Sequence, residues 1–494
     1  MISDYQRYRI YETLPALSVW VTLIGGILLS FFQPLWMIYA ILVFDVYWVL
    51  RVTYFSFYLI LSWTRFHRFV RIDWHQKLQL DKPQWKDKIN VIFLPVYNES
   101  YEVVSATLFG LKKSVLPADK LLVVISGEGR MLDHWQSLQK RISAEFSGVF
   151  ADLILYTHPD HLPDEIPGKG SNIHYAEFEF KKYADKNGWN YDDIIASIFD
   201  VDTLVHPQYF AHLTYMYCSH ARPTRSSYQP VTLYNNNLWD SPAVLRIMAF
   251  STSFWMLFSL GRLDNLVTFS SHSMSFRAIM DCGGHAKNIV SEDSRIYFQC
   301  YLHYDGDYEV TPLYIPVSMD TVRDDKIWRS LRNLYYQQRR WAWGVENIPY
   351  LLWQFRLHPK ISFVKKFILL FHEWEGKWSW GVVAILITIL GRLPLWVAPD
   401  AIRQSALFFN TPFVLENLMR LAMLGLFIST IMSMLIMPRR PDRHSPHKYL
   451  FMIAQWALLP ISLICFSSLP CIDAMTHLMF GKYLGFNVSA KKRT

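Results

Sequence analysis

Several clusters of side chains in this 494-residue sequence have types and spacings suited to chemistry on phosphates and hydroxyls. Asp200-Val201-Asp202 follows an apolar run. In an extended segment residues two apart face the same way, so both carboxylates are expected to converge on one spot. Two hard oxygen donors suit Mg2+ or Mn2+ arriving with a diphosphate. Ser291-Glu292-Asp293 is a second acidic site. Adjacent carboxylates raise one another's pKa, which prepares a general base; the same residues also suit the capped first turn of a helix. Gly283-Gly284 upstream permits close approach of backbone to a ligand. In Gln337-Gln338-Arg339-Arg340-Trp341, Arg offers a planar fork for phosphate oxygens, Trp a flat face, and Gln both donor and acceptor. Taken alone, that cluster reads equally as a basic-aromatic belt beside a membrane. Pro95-Val96-Tyr97-Asn98-Glu99 brings an aromatic face, an amide and a carboxylate to a strand end, either to hold a nucleobase and ribose or as an ordinary turn. Gly168-Lys169-Gly170-Ser171-Asn172 lacks the spacing of a phosphate loop and leaves Lys169 either beside a nucleotide phosphate or in a plain loop.

These residues need a frame. Asn90–Pro95, Lys120–Ile125 and Asp193–Phe199 are continuous apolar runs separated by helix-length polar stretches, the pattern of a parallel sheet covered by helices. Ligands of such sheets sit at the carboxyl ends of the strands, where Tyr97, Glu99 and Asp200 fall. The flanks are membrane-grade. Leu14–Phe32 and Leu35–Trp63 are long enough to cross a bilayer, and the short link between them makes a hairpin (residues 1–70). Asp45 and Arg51 in its second arm must face protein or a polar path, and Arg65, His67, Arg68 and Arg71 place its ends in the cytoplasm. Residues 71–350 then form a cytosolic α/β domain, and residues 351–377 lie at the interface, with Ile361–Phe371 as a short amphipathic helix. Residues 378–494 hold three spans, Trp378–Val397, Pro412–Met437 and Tyr449–Leu469. Three spans put the C-terminus outside, against the preference of Lys491-Lys492-Arg493 for the inside. Val244–Leu260 is either a helix resting on the membrane or a buried core helix.

Composition agrees with this mixed architecture: 52% hydrophobic, 16% aromatic and 18% charged residues are too apolar for an ordinary soluble enzyme and too charged for a transporter made only of spans. The net charge of +8 is dispersed, which points to anionic lipid and a phosphorylated substrate and not to nucleic acid. The five cysteines have no metal-ligand spacing and are expected to be reduced and structural.

In this order, the motifs resemble those of the membrane-embedded, inverting family 2 glycosyltransferases, the group of cellulose, chitin and hyaluronan synthases and ceramide glucosyltransferases. The resemblance runs from about Asn90 to Gly344, and its most specific element is Gln-x-x-Arg-Trp at Gln337, Arg340 and Trp341. It implies a GT-A-type α/β domain, with a mixed and mostly parallel sheet, inserted between transmembrane helices of a bacterial-type plasma (inner) membrane. It further implies a nucleotide-sugar donor, a UDP-sugar ahead of a GDP-sugar, with Mg2+ or Mn2+ as cofactor. By the same resemblance Tyr97 and Glu99 contact the nucleoside, Lys169 and Asp200 the nucleotide, and Asp202 the metal beside Asp200. Asp293, beside Glu292, is the general base, and Gln337, Arg340 and Trp341 hold the diphosphate and wall the acceptor end. Ser275, Phe276 and Arg277 fall in the acceptor segment. The chain departs from the family after the second strand: adjacent Asp residues that read the base are replaced by Ile125-Ser126-Gly127-Glu128-Gly129, leaving Glu128 to substitute from a shifted position. Expected products are a growing polysaccharide, with or without coupled secretion, or a singly glycosylated membrane lipid. From a different class stands a non-catalytic membrane scaffold.

Overall fold

The protein is described here by a computed structural model covering residues 3–485. Eight strands form one sheet: β1 (Ile89–Val96), β2 (Leu121–Glu128), β3 (Asp152–His158), β4 (Ile194–Ile198), β5 (Leu204–Val205), β6 (Ser226–Leu233), β7 (His272–Ser275) and β8 (Glu309–Ser318). Their order is β3-β2-β1-β4-β7-β6-β8-β5. The first four strands pair in parallel, β6 and β8 are also parallel, and β7 runs antiparallel between β4 and β6. This is the mixed sheet that the motifs implied. The three continuous apolar runs became β1, β2 and β4. The other strands were not legible as apolar runs, because several are buried through paired hydroxyls. Ser197 and Ser273 meet at 2.7 Å across β4 and β7, and Ser226 and Thr311 at 2.8 Å across β6 and β8. A buried hydroxyl with a partner avoids the desolvation cost that otherwise excludes it from a core.

Among the described residues six helices are long and apolar enough to cross a membrane: Asp4–Phe32, Pro34–Phe69, Ala243–Gly261, Phe363–Val397, Ala406–Leu435 and Lys448–Met479. The stretch read from sequence as a separate interfacial helix (361–371) and the span after it form one helical run, because Ser362 caps its start by accepting from the Lys365 amide and no breaker follows. The basic tail Lys491–Arg493 lies outside the described residues. Arg51 is paired as its cost in an apolar helix requires: it meets Glu375 at 3.0 Å, and Tyr47 donates to the same carboxylate at 2.9 Å. The helix Ala243–Gly261 packs against Pro34–Phe69 on one side and β6 on the other, with two thirds of its apolar window buried. It is therefore core to both halves. One hydrophobic cluster runs without a break from Leu59 through Val91, Phe93 and Ile198 of the sheet and Phe250 and Phe254 to Met432, Ile436 and Trp456.

Candidate active site at the carboxyl ends of the parallel strands

Lys169 is the centre of the site. It opens the helix Lys169–Lys186, which packs against β1, β2 and β3. Its ammonium lies 2.8 Å from Asp200, 2.8 Å from Asp293 and 3.6 Å from Glu292, with only 10% of the side chain exposed. Burial alone would pull its pKa down; the three carboxylates outweigh that and raise it, so the group is a fixed cation. Gly170 makes this approach possible. A Cβ there would sit 2.7 Å from the Ala286 carbonyl and 3.2 Å from the Glu292 Cβ, so any larger residue would lift the lysine out of its cage.

The two acids enter on the helix Glu292–His303. Ser291 stands at its N-cap position, but its hydroxyl does not cap the helix. It donates to Glu346, whose other oxygen accepts from the Trp343 indole at 3.0 Å. Asn347, next in line, accepts from Arg295 at 2.6 Å. These bonds tie the acidic turn to the chain that continues from the Gln-Arg-Trp helix, Ile327–Ala342. Glu292 is fully enclosed. Burial first and Asp293 second push its pKa up to about 7, against the opposing influence of Lys169.

Arg340 and Trp341 join the same cluster. Arg340 is among the charges acting on Glu292 and on Tyr234, and the rings of Trp341 and Tyr234 are 5.5 Å apart. Burial, with Asp200 and Asp202 nearby, raises the Tyr234 phenol. Trp341 also lines a shallow, mostly apolar depression with Tyr234, Leu245, Met248, Val322 and Gln337 among others.

The acidic pair Asp200 and Asp202 differs from its expected geometry. The segment is a turn and not an extended strand, closed by the Thr203 amide donating to the Asp200 carbonyl at 2.9 Å. Asp200 accepts from Ser270 at 2.9 Å as well as from Lys169, whereas the buried Asp202 accepts from the Asp320 amide at 2.9 Å. Among the described residues no group of three or more His, Cys, Asp or Glu side chains is placed to hold a metal. A cation at this turn would have to draw Asp200 and Asp202 from these partners and complete its shell with substrate phosphates, as Mg2+ and Mn2+ do.

At the other end of the cleft, the Tyr97 amide donates to Glu99 at 2.8 Å and Arg130 lies over the Tyr97 ring at 5.0 Å. Glu128 ends β2, buried. It takes bonds from Arg130, from Asn172 at 3.2 Å, and from His158 at the end of β3. Burial lowers the His158 pKa, but Glu128 and Glu165 reverse the sign and raise it.

Ser275, Phe276 and Arg277 are not at this site. Ser275 pairs with Ile195 at the start of β4, while His272 pairs with Ile198 at its end, so the three residues lie roughly 15 Å along the strand from Asp200. Phe276 is buried against Phe180, and Arg277 is bound to Asp192 at 2.7 Å. The segment that does reach the acids is Thr268–Ser271: Thr268 donates to the Asp293 carbonyl at 2.6 Å, and Ser271 sits at a φ of 65°, a conformation disfavoured for serine and concentrated at functional sites. Gly283 and Gly284 (φ 87° and 81°) make the turn, and only Gly284 also serves packing: a Cβ there would meet Phe178, His174 and Glu177. Sequence reading overlooked Arg130, His158, Tyr234, Ser270 and Glu346; for His158 the available signal was the short apolar run Leu153–Leu155 before it, whereas Tyr234 follows a hydroxyl-rich strand and had none.

No protein-family model and no curated protein matches the chain. Solved structures do resemble it. The mannosyltransferase PcManGT from Pyrobaculum calidifontis, in complex with GDP-Man and Mn2+, matches over 90% of this chain and 99% of its own, at 14% identity and a TM-score of 0.47. S. aureus TarS 1–349 with UDP-GlcNAc matches over 68% and 90%, at 12% identity and 0.33. GalNAc-T7 with UDP, GalNAc and Mn2+ matches over 58% and 57%, at 10% identity and 0.33. At such identities and scores the likeness carries no weight for function; the site's own side chains do.

Proposed function

We propose that this protein is a membrane glycosyltransferase of the GT-A type that moves a sugar from a nucleotide-sugar, a UDP-sugar ahead of a GDP-sugar, to a growing polysaccharide with inversion. One observation carries the reading: Lys169, Asp200, Glu292 and Asp293 form a single buried charge cluster bordered by Arg340 and Trp341, at the strand ends where such a donor would lie. In the proposed reaction the base stacks beside Tyr97, whose ring is backed by Arg130, with Glu99 and Glu128 at its edge. Lys169 and Arg340 hold the diphosphate, exchanging their carboxylate neighbours for phosphate oxygens. Asp200 and Asp202 would hold Mg2+ or Mn2+, which when bound neutralises charge gathering on the departing diphosphate. Asp293 is the general base: it takes the proton of the acceptor hydroxyl as that oxygen attacks the anomeric carbon from the face opposite the diphosphate. The sugar passes through an oxocarbenium-like state and inverts, with no covalent enzyme intermediate. Glu292, raised toward 7, carries only part of its negative charge at neutral pH, which weakens its repulsion of the base.

A second reading, one glycosylation of a membrane lipid, is favoured by the apolar lining of the depression beside Trp341, which lies against the apolar helix Ala243–Gly261. Nucleoside diphosphate release in detergent, with Mn2+ or Mg2+ and a panel of UDP- and GDP-sugars, tests both. Release that disappears in Asp293→Asn supports the transferase, and product size separates polymer from glycolipid. No metal-dependent release with any donor leaves a non-catalytic scaffold instead, and release that survives in Asp293→Asn removes Asp293 as base.

A further inference from the structure

The loop 438–448 joins two of the helices that are long and apolar enough to cross a membrane, Ala406–Leu435 and Lys448–Met479. It carries Arg439, Arg440, Arg443 and Lys448 against a single acid, Asp442. The loop is folded onto the sheet domain, and mostly through neutral groups. The Trp239 indole donates to the Pro438 carbonyl at 3.0 Å, the Lys448 ammonium donates to the Trp239 carbonyl, and the Trp239 and His444 rings stack 6.0 Å apart. Asp240 supplies the acid, giving one oxygen to Arg443 and the other to His444 at 2.9 Å. Behind the loop stands a cation with no acid of its own. Arg246 is only 7% exposed, yet it donates to uncharged acceptors, the Gln455 side chain at 2.7 Å and the Ser241 carbonyl at 2.5 Å. Its charge, with those of Arg323 and Arg443, reaches the Lys448 ammonium. Arg246, Arg443 and Lys448 therefore share one carboxylate, Asp240, which His444 also occupies.

A buried cation without a counter-charge is costly, and a surplus of cations around one acid draws an anion from outside. The neighbouring side chains say which kind. Leu450, Phe451 and Ile453 directly follow Lys448 and are exposed, as are Phe427, Ile431 and Leu435 on the helix that enters the loop. Tyr449 packs edge-on against Trp239 at 5.2 Å, the aromatic pairing expected where headgroups meet acyl chains. A soluble anion would match the charges alone, whereas a phospholipid matches the charges and the apolar faces beside them. We propose that the loop 438–448 is a binding site for the phosphate headgroup of an anionic phospholipid, whose acyl chains lie along those apolar faces. Arg439, Arg443 and Lys448 hold the phosphate, Arg246 adds its charge from behind, and the phosphate competes with Asp240 for Arg443. The site uses none of the groups at the strand ends, and it stands whether or not the chain is a transferase.

Native mass spectrometry of the full-length protein in detergent, titrated with phosphatidylglycerol or with phosphatidylcholine of the same acyl chains, tests this. Wild type is expected to bind phosphatidylglycerol about a hundredfold more tightly than Arg439→Gln/Arg440→Gln/Arg443→Gln does, because each Arg beside a membrane surface is worth about fivefold. Phosphatidylcholine should bind more weakly than phosphatidylglycerol to wild type, and equally to both proteins. Asp240→Asn keeps an acceptor for Arg443 but removes the competing charge, and should tighten phosphatidylglycerol binding by about fivefold. That gain keeps the test open where unfolding in lipid-free detergent shows the triple variant to be misfolded. Equal binding of the two lipids by wild type overturns the proposal, as does phosphatidylglycerol binding that the folded triple variant retains or that Asp240→Asn does not tighten. Displacement of phosphatidylglycerol by millimolar inorganic phosphate also overturns it, because the ligand would then be a soluble anion.

Discussion

Replacing Lys169 by methionine keeps the length of the side chain and removes the cation from three carboxylates at 2.8, 2.8 and 3.6 Å. Breaking a buried ionic cluster by deleting one partner costs roughly 3–5 kcal/mol, which corresponds to a fall of roughly 5–10 °C in the unfolding midpoint for a domain of this size. The loss should depend on pH in a defined sense. Glu292 binds its proton near 7 in the folded protein, against 4.5 as the ordinary value. Between those values the folded state holds a proton that the unfolded state lacks, so stability rises as pH falls through the window and is lowest above it. Lys169 holds the Glu292 pKa down, so its removal moves the top of that window higher. The variant should therefore be most destabilised at pH 8, where wild type carries a charged Glu292 against Lys169 and the variant must either keep it protonated or leave it unpaired, and recover much of the difference by pH 5.5, where Glu292 is neutral in both. Thermal unfolding of wild type and Lys169→Met in the same detergent at both pH values measures this. An equal deficit at pH 8 and 5.5 would refute the electrostatic account, and no deficit at either would show that the cage adds nothing to the fold.

Other expectations follow from the same geometry. Gly170→Ala, by forcing a Cβ against the Ala286 carbonyl at 2.7 Å, should cost about 1–3 kcal/mol and lower kcat through the displaced Lys169; an alanine variant with wild-type unfolding and turnover would contradict the close packing. Trp341→Ala should raise the acceptor KM about tenfold or more, a loss of about 1.4 kcal/mol, while hydrolysis of donor by water continues; equal losses in both would place Trp341 on the donor side. Chelation with EDTA should abolish diphosphate release and Mn2+ should restore it, whereas Asp202→Asn should resist that restoration; full activity in EDTA would remove the metal from the reaction.

Much of the site could be read from sequence because its residues stand at the ends of strands that announce themselves. β1, β2 and β4 are unbroken apolar runs, so Tyr97, Glu128 and Asp200 were placed by counting from them. The lysine motif was visible, but its meaning was not: that Lys169 neutralises three acids depends on the start of one helix meeting the start of another, and no local pattern encodes that meeting. The hydroxyl-rich strands β6 and β7 were invisible for a physical reason, since Ser226, Ser227 and Ser273 are buried by bonding to Thr311, Tyr308 and Ser197. The direction of β7 was hidden with them. Reversal of that one strand carries Ser275–Arg277 away from the acids and brings Ser270 and Ser271 to Asp200.

The hydrophobic cluster that joins Leu59, the sheet, Phe254 and Trp456 has a consequence for handling the protein. Cuts near residues 71 and 350, where the sequence changes character, would pass through a shared interior and strip the helix Ala243–Gly261 of its partners in Pro34–Phe69 and in the segment around Trp456. The sheet domain released this way would carry an apolar wall that water cannot cover, and would be expected to clump or to seek detergent. Soluble expression of residues 71–350 is therefore the wrong route to this protein; the sheet domain and the apolar helices have to be made, purified and assayed together.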